Sequence, residues 1–94
     1  MTQADKEARK LQLEEEIGSL NRQWEALSYA LFLTNKKKDN ACDMVEVEGN
    51  IYHEDWKREA TRLQRYCNSL VETIKLVEDR LITLNREYEQ LINE

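Results

Sequence analysis

From Trp56 to Leu91 the chain repeats one spacing without a fault. Trp56, Ala60, Leu63, Cys67, Leu70, Ile74, Val77, Leu81, Leu84, Tyr88 and Leu91 follow one another in alternating steps of four and three residues. All eleven positions are apolar or weakly polar, and the residues between them are mostly Lys, Arg, Glu, Asn and Gln. A stripe that recurs every 3.5 residues over this length closes only against another helix, with its remaining surface in water. A strand would need period two, and a helix buried on all sides would not carry so regular a polar face. The chain contains no proline and only two glycines, Gly18 and Gly49, so nothing forces a break inside the run.

A second run of the same kind precedes it. Leu13, Ile17, Leu20, Trp24, Leu27 and Leu31 keep the four-three alternation. Carried backward, that phase lands on Lys10, Lys6 and Gln3, and the displaced stripe Ala4, Ala8 and Leu11 takes its place. Such a slip reads as a stutter, which disturbs supercoiling locally. Forward of Leu31 the sequence enters Lys36-Lys37-Lys38, cations that suit the negative C-terminal end of a helix. The stretch "DNACDMVEVEGNIY" then reads as a connector. Asn40, Gly49 and Asn50 favour loops, and Met44 to Glu48 alternate as a short extended piece would. Asn50 is a candidate cap for the second helix, with Glu54 and Asp55 at its positive end.

The sequence therefore predicts an all-α fold: a long antiparallel two-helix coiled-coil hairpin in one domain. Helix 1 spans about residues 3–37, the connector about 38–51 and helix 2 about 52–93. A connector of that length suggests the pairs Leu31 with Trp56, Leu27 with Ala60, Trp24 with Leu63, Leu20 with Cys67, Ile17 with Leu70 and Leu13 with Ile74. These twelve residues form the expected intrachain seam. Val77, Leu81 and Leu84 are then left facing Lys10, Lys6 and Gln3, and Tyr88 and Leu91 facing nothing, and an uncovered run of that kind marks an association surface.

A further surplus lies on the back of helix 1, where Ala26, Tyr29, Phe32 and Leu33 form a second stripe that one partner helix cannot also cover. Two helices alone make a small core: burial of one large side chain contributes about 1.5–3 kcal/mol, against about 1–2 kcal/mol of backbone entropy for each residue ordered. Both surpluses point to a homodimer of hairpins closing a four-helix bundle. An adaptor or small chaperone, binding a different protein through the uncovered seam, is the alternative.

Two segments echo each other: "IGSLNRQWEAL" at 17–27 and "LITLNREYEQL" at 81–91. Shared heptad grammar accounts for the apolar matches; equivalent docking of the two segments is the functional alternative. "LNRQWEAL" also resembles the tryptophan-bearing helix of spectrin-type repeats, over about eleven residues. That family's three-helix layout implies a break that helix 2 does not contain, so the two-helix reading stands.

Other function classes find little support. The net charge of −5 disfavours nucleic acid, whose phosphates are held by clustered cations. The apolar run from Ala26 to Leu33 is shorter than the roughly 20 residues of a membrane span. The acidic total also opposes peripheral membrane contact through Phe32, Leu33 and the lysines. No secretory leader stands out in "MTQADKEARK", and Cys42 and Cys67 lie 25 apart without metal-like spacing. An intracellular placement follows as an expectation, the cytoplasm first and the nucleus open. His53-Glu54-Asp55 lacks the converging ligands of a metal site, and neither a phosphate loop nor a nucleophile elbow occurs, so no cofactor and no catalysis are expected.

Overall fold

The structure is a computed structural model that describes residues 2–47, 49 and 51–94. Two helices, α1 (Gln3–Glu46) and α2 (His53–Asn93), fold back on each other. The result is a rod of 72 × 15 × 14 Å with a radius of gyration of 20.9 Å. A compact domain of this length has a radius of about 12 Å. The extended shape follows from helices of 44 and 41 residues rising about 1.5 Å per residue.

α1 begins where Thr2 accepts a hydrogen bond from the Asp5 amide at 3.1 Å, satisfying one donor of the first turn. It does not stop at the lysines. The helix runs on through Lys36–Lys38 and most of the expected connector to Glu46, so these cations sit inside the helix and cap nothing. Met44 to Glu46, read as extended from their alternation, are helical. What remains of the connector is short. Val47 leaves the helix in an extended conformation with its amide on Met44 O at 3.4 Å. Gly49 then takes a φ of +76°, a backbone angle that glycine adopts without strain. α2 starts from Tyr52, which offers no side-chain cap. The proposed cap Asn50 lies outside the described residues. His53 Nδ1 meets Val45 O at 2.9 Å and pins the end of α1 to the start of α2.

The longer α1 changes the register. Arg9 Nε donates to Glu87 Oε1 at 2.9 Å, and Tyr88 Oη donates to Glu14 at 2.7 Å. Cys67 Sγ lies 3.3 Å from Asn35 Oδ1, and Lys38 Nζ donates to Gln64 at 3.1 Å. Cys67 was expected beside Leu20. The helices are therefore displaced by roughly four turns, on the order of 20 Å, from the register that apolar spacing alone suggests.

The reason lies in four polar residues on the seam. Continued in both directions, the four-three alternation of α1 places Lys6, Lys10, Thr34, Lys38, Ala41 and Val45 in line with Leu13 to Leu31. Thr34 is buried because its hydroxyl donates to Ala30 O at 2.7 Å, one turn back. Lys38 is half-buried along its stem while its ammonium reaches Gln64 at the edge. Lys6 does the same at the other end, with Nζ 3.5 Å from Glu94 O. The seam continues through Lys10 and Lys6, and the expected stutter is absent: Ala4, Ala8 and Leu11 are exposed, Leu11 by 59%. Pairing along the whole of both helices covers about twice as many seam positions as the shorter register, and that difference in buried area decides the register.

Candidate interaction surface

The seam residues of both helices are turned toward each other within one chain. Leu13 and Leu84, at 0% and 1% exposure, form a fully buried pair with Leu91, and Ile17, Leu20 and Tyr88 pack around them. Leu63, Cys67, Leu70 and Val77 are buried, while Leu27, Leu31, Trp56, Ala60 and Ile74 are half-buried. Trp24 is too large for its position and stays 39% exposed, sharing a shallow depression with Asn21, Glu78, Leu81 and Ile82.

This placement corrects one expectation. Val77, Leu84 and Leu91 were assigned to a surface between chains, but they are buried inside the hairpin, and Leu81 and Tyr88 are half-buried there. The longer register brings the N-terminal turns of α1 over them. The uncovered seam that motivated a hairpin binding a different protein is thus covered by the chain itself.

The other candidate group is placed differently. Ala26, Tyr29, Phe32 and Leu33 are all exposed, Tyr29 by 64% and Phe32 by 54%. They do not form one stripe. Phe32 turns to the side of the rod that carries Trp24, with Lys36 Nζ 4.5 Å above its ring. Ala26 and Leu33 turn to the opposite side, and Tyr29 stands between the two on the outer edge.

The two flat sides of the rod differ in charge. On the Trp24 side, Glu14, Glu25, Lys75 and Glu78 interrupt the apolar residues Phe32, Val71 and Ile82. The opposite side begins with the cross-helix pairs Arg9–Glu87 and Glu16–Arg80, the latter at 3.6 Å. It ends with Lys37, whose charge reaches Glu59. Between those limits heptad position brings Ser19, Gln23, Ala26, Ala30 and Leu33 from α1 beside Tyr66, Ser69, Thr73 and Leu76 from α2. None of these nine is charged. Tyr66 is 50% exposed and Leu76 69%. Sequence reasoning missed Tyr66 and Leu76, because each falls between seam positions of α2 and extends no stripe of its own, and only the register sets them beside the apolar back of α1.

The polar contacts at the rim have local causes. The Arg62 guanidinium, bonded to the Glu59 carboxylate, holds that carboxyl below the usual carboxylate range, and Lys37 adds to the pull. The bond to Glu14 holds the Tyr88 phenol above its ordinary pKa, because the carboxylate favours the protonated hydroxyl. A raised pKa means that the folded chain keeps the proton longer than the unfolded one. This contact therefore stabilises the fold below about pH 10 and is lost as pH rises through the folded value. Replacing Glu14 by Gln should bring the Tyr88 titration back toward that of a free tyrosine. The readout is tyrosinate absorbance against pH, taken as a difference from Tyr88→Phe; an unmoved midpoint would assign the shift to another cause.

Among the described residues no group of three or more His, Cys, Asp or Glu could hold a metal ion, and no helix is long and apolar enough to cross a membrane. Cys42 is exposed and Cys67 is buried, both as free thiols. The echoed aromatics have unlike surroundings: Trp24 lies half out on one side, whereas the Tyr88 hydroxyl is held by Glu14. No family model, curated protein or solved structure matches the chain.

Proposed function

We propose that this chain is a non-enzymatic coiled-coil interaction module, which self-associates as a dimer of hairpins and serves as an assembly or scaffolding subunit. The observation that carries the reading is excess surface. The hairpin exposes 7100 Å², whereas a compact monomer of its length exposes about 5,700 Å². The difference, on the order of 1,400 Å², is comparable to what a standard protein–protein interface removes from water. The uncharged side is where removal costs least, since no ion has to be desolvated in its centre.

Covering that side with the same side of a second hairpin makes a four-helix bundle. Leu33, Tyr66 and Leu76 supply its apolar contacts, and Ala26, Ala30 and Ser69 let the helices approach. Sedimentation equilibrium of the native chain at micromolar concentration tests the reading. A mass of two chains is expected. A monomer that melts sharply and independently of concentration would contradict it.

A further inference from the structure

The turn end of the rod breaks two local rules. The first concerns charge. Between Lys38 and Lys57 the sequence holds six carboxylates and no lysine or arginine. Three of them, Asp39, Asp43 and Glu46, follow one another at i, i+4 and i+7 and are exposed on one face of α1, off the seam. Like charges at such spacings oppose a helix, and carboxylates in its last turns oppose its dipole. No basic residue in the last turn of α1 relieves them. Among the described residues none of the three makes an ion pair. α2 begins at the same end, but its positive terminus already carries Glu54 and Asp55, with Lys57 and Arg58 beside them.

The second rule concerns the turn. Turns favour glycine and small polar residues, and Gly49 supplies the positive φ that this one needs. Val47, Ile51 and Tyr52 answer no such need. They are 49%, 86% and 60% exposed, and Ile51 is the most exposed large apolar side chain among the described residues. The base beneath them is fixed, because His53 Nδ1 meets Val45 O at 2.9 Å and the Trp56 amide donates to Tyr52 O at 3.0 Å. An apolar group with a charged rim is how an interface is built. Local choices that work against the fold are expected at functional positions.

We propose that this end of the hairpin docks a basic amphipathic segment of a different protein, which sets apolar side chains on Val47, Ile51 and Tyr52 and places lysine or arginine against Asp43 and Glu46. Charge chooses the occupant. Nucleic acid and anionic lipid carry the sign of this end and are repelled. A second turn end is repelled equally. The chain's own cations beside exposed apolar residues are in use: Lys36 lies over Phe32, and Lys37 and Arg62 are drawn to Glu59. A cationic segment from elsewhere gains the apolar contact and settles the end of α1 at once. The site lies off the seam and off the uncharged side, so the inference is independent of self-association.

The test starts from a random peptide library displayed on phage and selected on the native chain. Selected peptides should carry two or more lysines or arginines beside apolar residues. One of them, made synthetically, is titrated against the native chain and two variants by fluorescence anisotropy. Ile51→Ser should weaken binding about thirtyfold. Asp43→Asn combined with Glu46→Gln should weaken it about fivefold and flatten its dependence on salt. All three side chains are exposed, so neither variant should lose helix content by circular dichroism. Selection that returns no peptide, or peptides without cations, overturns the proposal. Equal binding to Ile51→Ser does the same. Loss of the dimer in Ile51→Ser would assign this end to a second copy, and vesicle binding of the native chain on phosphatidylserine that Ile51→Ser abolishes would assign it to a lipid; either overturns the proposal. A monomeric native chain that still holds basic peptides through Ile51 supports it and removes only the self-association.

Discussion

Leu84→Ala should destabilise the hairpin by about 3 kcal/mol and lower its melting temperature by about 15 °C. Leu84 is 1% exposed and belongs to the cluster of Leu13 and Leu91. Truncation removes its burial and leaves a void that two rigid helices close only in part. In a chain with one seam and no second core, that is a large share of the 5–15 kcal/mol of an ordinary domain. Leu76→Ala is the control. Leu76 is 69% exposed, and its loss should change folding by less than about 0.5 kcal/mol. Denaturant unfolding at a fixed low concentration checks both. Equal effects, or a Leu84 variant that folds normally and fails only to associate, would place Leu84 between chains and refute the register described above.

The second large effect concerns association. Leu33→Glu should weaken the dimer by about a hundredfold, or about 3 kcal/mol, and leave helix content unchanged. Leu33 is 39% exposed and lies off the seam, so the hairpin tolerates a carboxylate there. In the dimer the same carboxylate would be taken from water at the edge of the uncharged face. Sedimentation equilibrium reads the constant, and circular dichroism the helix content. An unchanged mass would move the contact to another face; lost helicity would show that Leu33 helps hold the hairpin itself.

The two helices differ in how openly the sequence declares them. Every seam position of α2 is apolar or weakly polar, and the spacing alone locates them. α1 hides half of its seam. Thr34 and Lys38 look like surface residues to any apolar count, yet one bonds back to its own helix and the other lays its stem along the groove. Taking them as the end of the stripe ends the helix too early, lengthens the connector and displaces the partner by about four turns. That single displacement also turned Val77, Leu84 and Leu91 into a supposed outer surface.

The surplus of apolar side chains around Tyr29 to Leu33 was visible from spacing, since no single partner helix covers two sides of another. Which of these residues share a side with Tyr66 and Leu76 was not, because that depends on the height at which the helices meet. Lys36–Lys38 is conspicuous, but that Lys37 lies within reach of the Glu59 carboxylate, which Arg62 also holds, is a property of the pair of helices.

The central claim is that the long seam closes within one chain and leaves the uncharged side for a second. Backbone amide hydrogen exchange of the native chain, followed from dilute monomer to associated protein, tests it most directly. The amides of Ala41–Glu46 and of Val77–Leu91 should be protected equally at every concentration, because their cover comes from the same chain. Protection of either segment that appears only on association, or exchange of Ala41–Glu46 at the rate of an open loop, would contradict it.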